Sequence, residues 1–468
     1  MNRIPPRVSF LAASTLSLLV LAACQREAAA PSAAPAAAAP AAAPATMAAV
    51  EDFNAGMAQA KAEGKAVLVD AWAPWCHTCL SMQNYVMNDP SLASLANRVV
   101  LVELDTDKPE NAFFLEKYEV NAWPTFFVID PTTSQVAGVW PGAASAREFR
   151  RFVEDGLAGI EALGSAQADP NSPLRLMMDA KAAQATRDHD KAAALYAQLV
   201  ASNDKTWPRR SEALMGWLSA LQDSGKVKDC LQVGRAHLSE VEGAAVPADF
   251  ASTLLSCSED ETAGAEGKAA RAEVIARLRS LTTTPPSDAS ADDRADAFNI
   301  LSAALDDEGD KDGARKAQEG RLAVLEAAAA GIKDPIIAQT YDYARAQAYV
   351  ALNRGDEAVA MLQAREKEMP NSYEPIARLA SALSKMDRLP ESVVAFDRAI
   401  AKSYGPRQLL YLRQKAEVQG RMGDHTGQVA TLRAEVAGYE ALAKGHANPK
   451  GLEDARKRLA EAEHASGA

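Results

Sequence analysis

Apolar and polar positions follow two different rhythms along this chain, and the change of rhythm near Gly159 divides it. Before that point short apolar runs stand out: Val67-Leu68-Val69, Val99-Val100-Leu101-Val102-Glu103-Leu104, Thr125-Phe126-Phe127-Val128-Ile129 and Val136 to Trp140. Runs of this length bounded by turn residues predict buried strands. Between them lie helical spacings: Val50 to Lys61, with Phe53, Met57 and Ala60 on one side, then Ala112 to Tyr118, and finally Ala146 to Leu157. Strands alternating with helices and closing in a hairpin predict an α/β domain. After Gly159 only the helical rhythm remains, and Ala168-Asp169-Pro170-Asn171-Ser172-Pro173 marks the boundary.

The helical part has a period. Tyr349, Ala358, Leu362 and Pro370 fall at repeat spacings, and about 34 residues past Ala358 stands Ser392, followed by Phe396 and Ala399, with Leu379, Ala380 and Leu383 filling the preceding helix. Weaker copies surround Ala192 and Tyr196, Cys230, Ala314, and the segment from Leu409 to Leu432. The segment resembles a tetratricopeptide array, degenerate between residues 240 and 295. One such helix pair cannot bury its apolar face alone, so stacking into an all-α solenoid is expected. The resemblance implies a concave groove that binds a protein partner; a spacer or a dimerisation platform is the alternative.

The 468 residues suggest two or three domains. Alanine inflates the 48% hydrophobic content, and with only 6% aromatics the core is expected to rely on small residues between helices. A net charge of −12 without any basic block argues against a nucleic-acid partner. Arg3 and Arg7 precede an apolar run from Val8 to Ala23 that is too short for a membrane span and reads as an export signal over residues 1–23. Leu21-Ala22-Ala23-Cys24 resembles a bacterial lipobox, which implies lipidation at Cys24 and a membrane anchor. Gln25, where aspartate would retain the protein, implies the periplasmic face of the outer membrane. An ordinary signal peptide with an incidental cysteine is the alternative. Residues 24–47, nearly all alanine and proline, then form a tether. The expected layout continues with an α/β domain over 48–160, a linker over 161–174 and helical repeats over 175–468.

The chemistry concentrates where the first long apolar run ends. Trp75-Cys76-His77-Thr78-Cys79 places two cysteines three positions apart at the start of the next predicted helix. Unpaired N–H groups and the dipole at a helix N-terminus favour a thiolate at the first sulfur, so Cys76 is the candidate nucleophile. Cys79, one turn further on, is close enough to resolve a mixed disulfide. Half a zinc site is the alternative, but no second pair of close-spaced ligands accompanies this one, and no metal is expected.

Over residues 50 to 158 the chain resembles the thioredoxin superfamily. The resemblance rests on the strand, on Asp70 six positions before Cys76, on the Trp75-to-Cys79 turn, and on Trp123-Pro124-Thr125. Lys65-Ala66-Val67-Leu68-Val69-Asp70, Met82 and Asn88-Asp89-Pro90 make it most similar to periplasmic thioredoxin-like domains, such as the C-terminal domain of bacterial transmembrane thiol reductases. This resemblance implies a cis bond at Pro124 facing the sulfurs, and Asp70 as a proton relay to Cys79. It also implies a substrate edge formed by Trp75, Trp123, Pro124 and Thr125. It implies thiol-disulfide exchange with client proteins, in the direction of reduction, fed by a membrane thiol reductase. No cofactor beyond the redox-active Cys76–Cys79 pair is implied.

Other residues keep two readings. His77 would tune the thiolate if protonated, or face solvent to little effect. Glu103 falls where many relatives carry lysine; it would raise the Asp70 pKa if near it, or point to solvent. Trp72 and Trp75 are either site walls or core. Cys230 and Cys257, the even pair left over, suggest a structural disulfide, with a buried free thiol as the alternative. As a whole, the chain is expected to be a thiol-disulfide oxidoreductase carrying a partner-binding array. An oxidase or isomerase, or a non-enzymatic scaffold, are the rival readings.

Overall fold

A computed structural model describes residues 47–163, 169 and 171–466. The export signal, Cys24 and nearly all of the tether lie outside these described residues. Five strands, β1 (Ala49–Val50), β2 (Ala66–Trp72), β3 (Val99–Asp105), β4 (Thr125–Ile129) and β5 (Val136–Pro141), form one sheet in the order β1-β3-β2-β4-β5. β2 runs parallel to β3 and antiparallel to β4. It is paired on both edges and covered on both faces, and six of its seven residues are buried. A central strand of this kind reads as an unbroken apolar run, which is how it stands in the sequence.

Four helices complete this part: α1 (Phe53–Glu63), α2 (His77–Ser81), α3 (Ala112–Lys117) and α4 (Ala146–Leu163). α2 continues as a π-helical turn, Met82–Val86. The first helix starts later than its spacing suggested, because Val50 pairs with Val102 as an edge strand and Asp52 caps the helix by accepting from the Ala55 N–H at 2.7 Å. The last helix runs six residues beyond Leu157, into the stretch expected to be linker. α4 lies so close to β4 that a Cβ on Gly156 would come within 2.7 Å of Val128.

Seven helix pairs and a terminal helix follow. The pairs are Pro173–Ala185 with His189–Ser202, Arg210–Asp223 with Val227–His237, Val246–Ser258 with Gly264–Thr283, Ala291–Asp307 with Lys311–Ala329, Pro335–Ala351 with Gly355–Glu368, Glu374–Lys385 with Leu389–Ile400, and Gly405–Met422 with His425–Ala441. Pro449–Ser466 closes the array. Each helix packs on the next, as a tetratricopeptide-like solenoid requires. In six pairs the residue two positions ahead of the second helix is left-handed: Arg187, Gly225, Gly309, Asn353, Asp387 and Gly423. The third pair lacks it and uses a longer turn, in the region where the sequence repeat is degenerate. That pair is tied to the second by a disulfide between Cys230 and Cys257, whose Cα atoms are 6.3 Å apart.

The resemblance implied a concave groove for a protein partner, and in the structure the array packs on the chain's own α/β domain. Pro173–Ala185 packs on β5, Pro335–Ala351 on α2, and the short turn Lys444–His446 on α3. Touching the same small domain from its first pair to its last, the solenoid curves around it. One apolar cluster runs without a break from Leu68, Phe126 and Val128 of the sheet into Leu176, Met177 and Tyr196 of the first pair. Polar contacts fasten the rest. Asn84 donates to Thr340 Oγ1 at 3.0 Å, Lys444 pairs with Glu116 at 2.6 Å, and Tyr404 bonds Asp105. His446 Nε2 lies 2.7 Å from the Thr106 carbonyl oxygen.

Candidate active site

Cys76 sits at the end of the turn that leaves β2 and caps α2, where its sulfur accepts the Cys79 N–H at 2.9 Å. The two sulfurs are bonded, with Cα atoms 5.2 Å apart. Trp72, Trp75 and Trp123 pack against them, and the Trp123–Pro124 bond is cis. Thr125 opens β4 beneath this loop, its hydroxyl bonded to the Ala122 carbonyl oxygen at 2.7 Å. Neither sulfur stands in the open: Cys79 is fully buried and Cys76 only 5% exposed. The three tryptophans pack on the pair, and array helices pack on α2 above the turn. What remains in front of Cys76 is a cavity of about 600 Å³ walled by Trp75, Trp123, Tyr343, Arg378 and Arg407.

Trp75 is both wall and anchor. Its indole N–H donates to Asp107 Oδ2 at 2.7 Å, its ring lies 5.2 Å from that of Trp123, and the Arg407 guanidinium sits 3.6 Å from its centroid. Burial raises the Asp107 pKa to about 6 against the opposing pull of Arg407 and the Trp75 N–H. Trp123 is held in turn by Thr106, to whose hydroxyl it donates at 2.8 Å.

His77 does not face solvent. Its Nδ1 lies 2.9 Å from Asp292 Oδ1 on the solenoid helix Ala291–Asp307, and its ring stacks on Tyr343 at 5.6 Å. Burial works against the imidazolium, but Asp292 and Asp296 outweigh it and hold the His77 pKa up at about 9. The residue that follows the first cysteine is therefore a cation at neutral pH. His77, Asp292 and Asp296 bring three ligand-capable atoms within 4.8 Å of one another. With Nδ1 already on Asp292 and Arg321 acting electrostatically on Asp296, this is a charge cluster that pins α2 to the array.

Asp70 lies in the middle of β2, fully buried. Its Oδ2 accepts from Gln83 Nε2 at 3.0 Å, and its Oδ1 has no hydrogen-bond partner. Burial lifts its pKa to about 8, opposed by the Gln83 bond, with a smaller upward push from Glu103. Glu103 is its register partner on β3 and is itself raised, by burial first and by Glu51 second. The acid pair is thus real, but desolvation sets the result.

The structure brings Cys76, Cys79, Trp75 and Trp123 together and sets His77 beside them. Gln83, Asp107, Arg407, Asp292 and Tyr343 complete the surroundings and were not singled out in the sequence. Gln83 alone carried a signal, being one turn past Cys79 on the same helix.

Residues 53–157 match the thioredoxin-like domain family. Over 92 residues the chain is 29% identical to protein disulfide-isomerase 1 of Dictyostelium discoideum, covering 19% of this chain and 25% of that protein. Over 91 residues it is 30% identical to the thiol:disulfide interchange protein DsbD of Pseudoalteromonas atlantica, covering 19% of this chain and 15% of that one. The chain therefore spans a quarter or less of the length of these relatives. A tetratricopeptide repeat protein from Parabacteroides merdae aligns over 62% of this chain and 98% of its own, at 10% identity and a TM-score of 0.39. That score is too low to rest on, and the array stands on its own helix order. Residues 53–157 of this chain, with the bonded Cys76–Cys79 pair at the start of α2, are a thioredoxin-like domain.

Proposed function

We propose that the chain is a thiol-disulfide oxidoreductase working as a reductase, with Cys76 as nucleophile and Cys79 as resolving thiol. The observation that carries this reading is the cysteine pair itself, bonded at a helix start and opening on a cavity that a purely structural disulfide would not need. In the reduced form the Cys76 thiolate, beside the His77 cation, attacks a substrate disulfide. Cys79 then displaces the product, giving its proton to Asp70, whose pKa of about 8 suits it to exchange protons near neutrality. Membership of the thioredoxin-like family and likeness to an interchange protein support the class of reaction. The direction of reduction, with electrons from a membrane thiol reductase, rests on the resemblance of residues 50 to 158 to periplasmic thioredoxin-like domains. Anchoring through Cys24 at the periplasmic face of the outer membrane belongs to the same reading. It is tested by fatty-acid labelling that Cys24→Ala abolishes.

The deciding experiment compares two single variants in turnover with a disulfide substrate and on non-reducing gels. Cys76→Ser is expected to abolish exchange, and Cys79→Ser to accumulate a mixed disulfide at Cys76. Equal residual turnover in both would remove the assignment. A scaffold acting through an open repeat groove is disfavoured, because the chain's own domain occupies that face.

A further inference from the structure

The cavity in front of Cys76 has a chemical character that the exchange reaction alone does not require. At about 600 Å³ it falls in the range of small-ligand sites, and helices Pro335–Ala351, Glu374–Lys385 and Gly405–Met422 roof it. In a chain of net charge −12, its roof carries Arg378, Lys385 and Arg407, with Glu374 on the roof and Asp107 behind Trp75 as the carboxylates that face them. Arg378 is 6% exposed, and neither its Nε nor its Nη2 has a hydrogen-bond partner. Its Nη1 donates to the Gln339 carbonyl oxygen at 3.2 Å, and Nη2 stands 3.6 Å from Glu374 Oε2. The Arg378 guanidinium is thus ion-paired with Glu374 but not fully hydrogen-bonded, and a guanidinium is the group whose geometry matches a carboxylate. Arg407, stacked flat on Trp75, puts a second guanidinium beside the residue that precedes the nucleophile.

We propose that this cavity selects short cysteinyl disulfides that carry carboxylates close to their sulfur, with Arg378 and Arg407 holding the carboxylates while Cys76 meets the sulfur. The inference rests on the exchange activity proposed above and names its substrate class. The Cys76 thiolate attacks one sulfur of R–S–S–R; a Cys76–S–R bond forms, the substrate bond breaks, and RS⁻ leaves and takes a proton from water. The Cys79 thiolate then attacks the Cys76 sulfur, closing the protein disulfide and releasing the second RS⁻. Both electrons come from the protein dithiol, which an external dithiol restores.

The test uses the full chain, reduced by dithiothreitol. Exchange rates are measured with cystine and glutathione disulfide, with cystamine and 2-hydroxyethyl disulfide as uncarboxylated counterparts, and with a long unstructured peptide whose disulfide is flanked by glutamates. Each rate is divided by that of dithiothreitol alone on the same compound. The carboxylated short disulfides are expected to react about tenfold faster than 2-hydroxyethyl disulfide, and the preference should fall toward unity in high salt. It should fall likewise in Arg378→Gln and in Arg407→Gln, with partial rescue by Arg378→Lys. Should Arg378→Gln fail to fold, the salt dependence of the native chain decides. Equal normalised rates for all short disulfides would overturn the inference while leaving the oxidoreductase reading intact, and a long peptide as fast as cystine would overturn the size limit. No exchange with any compound would remove both readings.

Discussion

Asp70 shows how one residue can be legible in sequence and still be set by neighbours that are not. An acid inside an apolar strand run announces burial, and burial is the main cause of its pKa of about 8. A raised carboxyl pKa favours the folded state fully only below the unfolded value, near 3.8. That contribution is lost as pH rises through the folded pKa. Asp70→Asn is therefore expected to be more stable than the native chain at pH 7, by about 2 to 4 kcal/mol, with the advantage shrinking toward pH 4. Denaturant titration at the two pH values measures this. If Asp70 takes the Cys79 proton as proposed, resolution of mixed disulfides should slow in the same variant. Equal stability at pH 7 would mean that the buried carboxyl costs nothing. The neighbour missed in sequence was Gln83, whose amide moderates the shift. The neighbour suspected, Glu103, matters less because it is only partly buried and can stay hydrated.

Among elements, α2 was the most legible and its surroundings the least. The cysteine spacing placed its start, and the structure has its first residue at His77. Nothing in the local pattern says that the next charge met by His77 is Asp292, more than two hundred positions along the chain. Hydrophobic rhythm specifies which face of a helix is buried, but two buried faces carry no label saying that they meet. The His77–Asp292 pair has a testable consequence for both elements. The raised His77 pKa contributes stability that is fully present below 6.5 and lost as pH rises through about 9. In Asp292→Asn the imidazole should lose its charge near neutral pH. Alkylation of reduced Cys76 by iodoacetamide at pH 7 is then expected to slow by up to about tenfold, the effect of one pKa unit. Native mass spectrometry with peptide mapping reads the modified sulfur. An unchanged rate would show that His77 holds the array without tuning the thiolate.

At the scale of the whole molecule, the repeat rhythm and the α/β rhythm were each readable, whereas their union was not. The composition predicted a small-residue helical core, but not that the array would spend its groove on its own chain. Two glycines make the closure possible. Gly405 is left-handed, at φ +56°, and a Cβ there would collide with the Asp107 carbonyl oxygen. A Cβ on Gly445 would strike the carbonyl oxygen of Ala112. Gly445→Val should therefore lift the Lys444–His446 turn off α3 while the helices stay folded. The expected result is native helical circular dichroism with several-fold faster alkylation of reduced Cys76 and earlier cleavage around Lys444 in limited proteolysis. Native alkylation and cleavage rates would mean that this clasp does not guard the cavity.

The unbroken apolar cluster joining sheet and array also sets a timetable for the chain's birth. Val128, Phe152 and Leu157 share that cluster with Leu176 and Met178. Once synthesis reaches Leu157, every strand, both redox cysteines and most of α4 exist, but the array residues that complete this cluster do not. Until Pro173–Ala185 emerges, the apolar side chains that it will cover at β5 and α4 stand open, a window in which a holding chaperone has something to bind. For longer still, until the helices from Pro335 onward arrive, no roof stands over Cys76. During that interval the dithiol stands open to molecules that the finished roof encloses it from.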